Sequence, residues 1–85
     1  MARYFFDVRD GDRVIADPDG LEFPDIAAVG EEAATALAEM ARDSLSRATR
    51  RRMSIDVRTD GDVPVLRASL SFDVEELSGD GEPLT

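Results

Sequence analysis

Residues 25–46 carry an apolar stripe with the period of an α-helix, in a chain whose other apolar residues mostly recur every second position. At 100° per residue, Ile26, Val29, Gly30, Ala33, Leu37, Met40 and Ala41 fall within roughly 60° of one line. Glu31, Glu32, Thr35, Glu39, Arg42 and Asp43 lie opposite. A helix of this kind buries its stripe against a second layer, here expected to be a sheet supplied by the rest of the chain; the alternative is a helix that docks its stripe on a partner. Asp25, after Pro24, marks the start, because its carboxylate can accept from the free N–H groups of the first turn. Glu31 and Glu32 come early, and Arg47, Arg50, Arg51 and Arg52 follow the end, an order that suits the helix dipole. Gly30, Ala33 and Ala41 are small, so the helix is expected to lie close to the sheet, with the Gly30 backbone against it.

The remaining segments read as strands and turns. Tyr4, Phe6 and Val8 alternate with Arg3, Phe5, Asp7 and Arg9, the pattern of a half-buried strand. Asp10-Gly11-Asp12 signals a hairpin, since Gly accepts positive φ. A short second strand covers residues 13–16. Asp17-Pro18-Asp19-Gly20 is a further turn, and Leu21-Glu22-Phe23 adds a few extended residues before the helix. After the helix, residues 47–52 form a basic connection. Met53, Ile55 and Val57 then alternate with Ser54, Asp56 and Arg58 as a third strand. Thr59-Asp60-Gly61-Asp62 turns the chain into a fourth and longest strand. There Leu66, Ala68, Leu70, Phe72 and Val74 face one side, and Arg67, Ser69, Ser71, Asp73 and Glu75 the other. Leu70 and Phe72 are expected in the core under the helix.

The expected fold class is therefore α+β. Its order is β-β-α-β-β, a four-stranded antiparallel sheet with one amphipathic helix packed on one face. Two hairpins flanking a helix pair fully antiparallel in the order 2-1-3-4, which leaves the fourth strand at an edge. Residues 1–77 are expected to form a single domain and residues 78–85, rich in Gly, Pro and acids, a flexible tail.

Composition narrows the chemistry. The chain of 85 residues contains no histidine and no cysteine. This removes disulfides, thiol nucleophiles, the usual zinc sites and any Ser-His-Asp triad, and it removes the commonest general base. Ser69 and Ser71 accordingly have no ordinary base to activate them. Nineteen acidic residues against ten basic ones, all arginine, give a net charge of −9, which opposes a nucleic-acid backbone. No run of eighteen apolar residues occurs, and the first residues enter a strand pattern directly, so no membrane span or signal peptide is expected. The expected location is the cytoplasm. The carboxylates Asp7, Asp10, Asp12, Asp17 and Asp19 raise the question of a cation site, but Asp17-Pro18-Asp19-Gly20 holds only a fragment of a calcium loop, with Ile15 where its first ligand belongs, so turn chemistry is the better account. No cofactor and no metal are expected.

The candidate interaction residues are Phe5, Arg67, Ser69, Ser71, Arg50, Arg51 and Arg52. Phe5 is out of phase with Tyr4, Phe6 and Val8 and should point to the open sheet face, as ordinary surface or as a contact. The arginine cluster can cap a helix end or bind an acidic partner. Arg67, Ser69 and Ser71 lie on the polar side of the long edge strand, whose unpaired backbone groups suit a second chain.

Three segments taken together resemble a family of short alphaproteobacterial proteins classed as a domain of unknown function. They are Arg3-Tyr4-Phe5-Phe6-Asp7-Val8-Arg9-Asp10-Gly11; Asp19-Gly20-Leu21-Glu22-Phe23-Pro24-Asp25 with Glu32-Ala33 and Leu37-Ala38; and Val65-Leu66-Arg67-Ala68-Ser69-Leu70. The resemblance extends to about residue 77 and implies the same small fold without an established activity or ligand. Gly30 departs from the longer polar residue or Ala of that pattern. Phe23-Pro24-Asp25 with Glu31-Glu32-Ala33 also resembles the sheet-and-helix domain of HicB-type antitoxins, which bind a small toxin. The DNA-binding segment such proteins often carry is not seen here, and likeness of fold does not establish function.

These readings lead to a non-enzymatic interaction domain that associates with itself, a homodimer sewn along the fourth strand. The alternative is a regulator that binds and modulates a partner protein.

Overall fold

The computed structural model describes residues 1–44 and 50–77. Five strands and one helix follow in the order β1 (Ala2–Asp10), β2 (Arg13–Ile15), β3 (Leu21–Phe23), α1 (Ile26–Ser44), β4 (Arg50–Thr59) and β5 (Val63–Asp73). All pairings are antiparallel, and the main order is β2-β1-β4-β5. This is the expected α+β arrangement with one strand added. The extended residues before the helix form β3, which pairs with Ala2, Arg3 and Tyr4, while β2 pairs with Val8, Arg9 and Asp10. The two short strands thus share one flank of β1.

The turns follow their residues. Gly11 has φ +61° in the two-residue loop that joins β1 to β2. Asp62, at φ +62°, and Gly61, at φ +80°, shape the loop between β4 and β5. A bulge in that hairpin falls where Val57 opposes Leu66 and Arg58 opposes Pro64, leaving Val65 as the extra residue.

Asp25 caps the helix: its Oδ1 accepts from the Ala28 N–H at 2.9 Å. Val29, Ala33, Leu37 and Ala41 are buried, as the stripe requires. They meet Met53, Ile55 and Val57 of β4, all but inaccessible, and this is the centre of the core. Tyr4, Phe6, Val8, Phe23, Leu66, Ala68 and Leu70 pack around it half-buried. Phe23 joins β1 through its ring, 5.6 Å from that of Phe6 and 6.2 Å from that of Tyr4.

Four expectations need correction. Ile26 is 48% exposed, because it opens the helix before the helix reaches the sheet. A Cβ on Gly30 would meet Leu66 Cδ1 at 3.6 Å, an ordinary contact, so its backbone is not pressed against the sheet. Phe72 is half-buried and lies outside the core among the described residues, and Val74 is exposed beyond the end of β5. Arg50, Arg51 and Arg52 belong to β4 rather than to a connection, so strand alternation splits them between faces. Arg47 lies outside the described residues, as does the tail.

Candidate functional site

The face of the sheet opposite α1 is built from the polar phase of β1, β4 and β5. Register sets its rows. Phe5 lies opposite Arg58, Asp7 opposite Asp56, and Arg9 opposite Ser54. On the other side of β4, Asp56 lies opposite Arg67, Ser54 opposite Ser69, Arg52 opposite Ser71 and Arg50 opposite Asp73.

Two like charges, Asp7 and Asp56, therefore sit side by side, and each is held by arginine. Arg67 grips Asp56 with both arms, Nε to Oδ1 at 2.6 Å and Nη2 to Oδ2 at 3.1 Å, and Arg9 Nε stands 3.9 Å from the same carboxylate. The hydrogen bond and charge of Asp56 raise the Arg67 pKa above its ordinary value. Arg58 Nε donates to Asp7 Oδ2 at 2.8 Å, its Nη2 donates to the Asp17 carbonyl at 3.2 Å, and its Nη1 reaches Asp62. Arg58 is thereby shifted up as well, chiefly by Asp7.

Asp17 bridges the gap between β2 and β3. Its Oδ2 accepts from the Phe6 N–H, so a side chain takes the ladder position that a strand residue would otherwise fill. Its Oδ1 accepts from the N–H groups of Asp19 and Gly20, closing the turn. Its own N–H donates to Asp7 Oδ1 at 2.9 Å. For Asp7, burial pushes the pKa up, but the hydrogen bonds from Arg58 and the Asp17 backbone prevail and the net shift is down. Asp17 is also lowered, its burial outweighed by the N–H groups of Gly20, Phe6 and Asp19 and by the charge of Arg58.

This knot accounts for Phe5. The ring points to the open face, as its phase predicts, but it is not free. The Arg58 guanidinium stacks 4.6 Å from its centroid, and the buried Gly20 backbone packs against its edge. Arg50 pairs with Asp73 at 3.0 Å, and Arg51, on the helix side, with Asp10 at 3.1 Å. The remaining candidates do converge. Arg52, Arg67, Ser69 and Ser71 line one shallow groove of about 440 Å³ together with Arg9 and Ser54. Arg52 has no carboxylate partner among the described residues; three arginines line the groove, and of these Arg9 and Arg67 reach Asp56 beside it. Its guanidinium and hydroxyl donors suit a carboxylate or another oxyanion, and none of the side chains lining it is a general base. Among the described residues no group of three or more acidic side chains is set to hold a metal ion.

From sequence, Asp7 and Asp17 are joined only as carboxylates weighed for a cation site, and neither is joined to Arg9, Ser54 or Arg58. Their signal was the run of opposite charges in the polar phases of two strands, and only the register joins them. β5 itself pairs with β4 along one side and with no other strand among the described residues.

Residues 3–71 match the family model described as a domain of unknown function, DUF6894. The chain belongs to this family. The match runs from β1 through most of β5 and so includes the knot, the groove and the edge strand. No curated protein and no solved structure matches the chain. No helix among the described residues is long and apolar enough to cross a membrane.

Proposed function

We propose that this DUF6894 domain is a non-enzymatic, cytoplasmic interaction module that associates with itself edge to edge through β5. The observation that carries this reading is the contrast between β4 and β5. Met53, Ile55 and Val57 of β4 are at most 3% exposed, whereas Leu66, Ala68, Leu70 and Phe72, in the same phase on β5, are only half-buried beside eleven residues of backbone whose outer side pairs with no strand among the described residues. A second copy related by a two-fold axis through Ser69 would complete both the ladder and the apolar layer. In that register Leu66 would face the partner's Phe72, Leu70 the partner's Ala68, and Arg67 the partner's Ser71. No like charges would oppose each other along the seam. The two grooves would then lie side by side across the axis.

The test uses Ser69, exposed in the single chain and opposite its own copy in the pair. Light scattering after size exclusion should give twice the 9.3 kDa chain mass for the wild type. Ser69→Glu and Ser69→Lys should each run as the monomer, and an equimolar mixture of the two should recover the dimer. A wild-type monomer at millimolar concentration, or a dimer indifferent to both substitutions, refutes the seam. A second reading, a regulator that binds a partner protein, draws support from the opposite side of the molecule.

A further inference from the structure

α1 lies over β4 and β5 and touches β3, so one helix covers only part of the apolar face of the sheet. Beside it, toward β1 and β2, runs a groove of about 440 Å³ floored by Phe6 and Val8 and walled by Ala36 and Met40. It continues, past the shared Val8 and Met40, into a second hollow of about 240 Å³ that reaches Ile15. Ile15 is 54% exposed and Leu21, at the other end, 55%. Glu32, Glu39 and Asp43 stand along the α1 side of this groove, and none has an ion-pair partner among the described residues. Among the described residues, Arg13 is the one basic residue lining either hollow.

We infer that this groove is a docking site for a basic amphipathic helix of another protein, an inference that rests on the partner-binding reading and not on the β5 seam. The secondary structure of the occupant follows from the floor. β1 is paired on both flanks, with β2 and β3 on one and β4 on the other, so it has no ladder to offer an extended peptide. An occupant must satisfy its own backbone, and a helix laid beside α1 does so while completing a helical layer on the sheet. The length follows from the wall: Glu32 to Asp43 spans about 16 Å at 1.5 Å per residue, three turns of helix. The charge follows from the acids, whose spacing of seven and then four keeps them on one side of α1. A second copy of this chain is the wrong occupant. Its single helix presents Glu31, Glu32, Glu39 and Asp43 outward, and each copy brings a charge of −9.

The probe is a labelled 14-residue peptide of leucines at helical spacing with lysines elsewhere, beside a scrambled peptide of the same composition. Fluorescence anisotropy with the full chain should show saturable binding, at least about tenfold weaker for the scrambled peptide. Glu32→Gln, Glu39→Gln and Asp43→Asn combined, all at exposed positions, should weaken binding by about tenfold and flatten its salt dependence. Amide shifts should centre on Phe6, Val8, Ile15, Ala36 and Met40, and Met40→Lys should abolish them in a chain whose circular dichroism is unchanged. The Ser69→Glu variant should bind as the wild type does, which separates this site from the seam. Equal binding of the scrambled peptide, shifts confined to the open face or to β5, or a loss of oligomeric mass with Met40→Lys would each overturn the proposal.

Discussion

Replacing Asp17 with alanine removes one carboxylate and three hydrogen bonds, those to the N–H groups of Phe6, Asp19 and Gly20, each at 3.1 Å. The Asp19 N–H is exposed and can turn to water. Those of Phe6 and Gly20 are partly buried, and a buried donor left without an acceptor costs about 1–3 kcal/mol. Discounting for partial exposure, Asp17→Ala should cost about 2–4 kcal/mol. Against a total of about 4–13 kcal/mol for a domain of this length, the loss is large. In urea, at about 1 kcal/mol per molar, the midpoint should fall by about 2 M or more. Asp17→Asn should recover only part of this, because its amide has one oxygen: if that oxygen closes the turn, the NH2 group faces the Phe6 donor. An Asp17→Ala midpoint within about 0.3 M of wild type would refute the account of the knot.

The same knot sets a pH dependence. Burial raises the Asp7 and Asp17 pKa values, but hydrogen bonds from N–H groups and the charge of Arg58 lower both on balance. A carboxyl with a depressed folded-state pKa stabilises the fold above its unfolded value, about 3.9, and that contribution is lost as pH falls through the lower folded value. Wild-type stability should therefore drop below about pH 4, and the gap to Asp17→Asn should narrow over the same range. A gap constant from pH 7 to pH 2 would contradict the assignment.

Five further substitutions test the packing. Gly20→Ala should cost about 2–4 kcal/mol, because the new Cβ would lie 2.9 Å from the Tyr4 carbonyl oxygen at φ +72°; Gly11→Ala, at φ +61° with nothing within 4 Å, should cost only about 1 kcal/mol. Equal melting temperatures for the two would remove the contact from the argument. Ile55→Ala, at a position 1% exposed, should cost about 2–5 kcal/mol, and Phe72→Ala, half-buried outside the core, less than about 2 kcal/mol, so the reverse order by urea titration would place the core elsewhere. Gly30→Ala should raise stability by about 0.5–1 kcal/mol, since a methyl fits over Leu66 at 3.6 Å; a lowered melting temperature would mean that the helix sits closer to the sheet.

Much of the fold could be read from the chain because its signals are local. The stripe from Val29 to Ala41 has one period, β1 and β5 have another, and Gly11 and Gly61 mark the reversals. The order β2-β1-β4-β5 then follows from two hairpins and one helix without further information. What escaped was short or at an end. β3 has three residues, too few to show a period, and it is defined by its pairing with β1 and not by its composition. Arg50, Arg51 and Arg52 show no apolar alternation, so nothing in them marked a strand; the continuing ladder opposite Asp73, Phe72 and Ser71 makes them one.

The open face was half legible for a different reason. Phase assigned Phe5, Arg67, Ser69 and Ser71 to that side, but phase cannot say what lies opposite. Arg58 and Asp7 are 51 positions apart and meet only because β1 and β4 pair in one register. Shifting that register by one residue would turn Asp7 and Arg58 against different neighbours and send the apolar set of β4 to the wrong face. The burial of Ile55 and Val57 therefore holds the register that brings Arg58 to Asp7. Asp17 in turn reaches Phe6 only because β2 and β3 share the same flank of β1. The ionic lattice is thus a consequence of the core on the other side of the sheet. The groove of Arg9, Arg52 and Arg67 inherits its shape from the same pairing, so substitutions that loosen the β1–β4 register should disperse the groove before they unfold the helix.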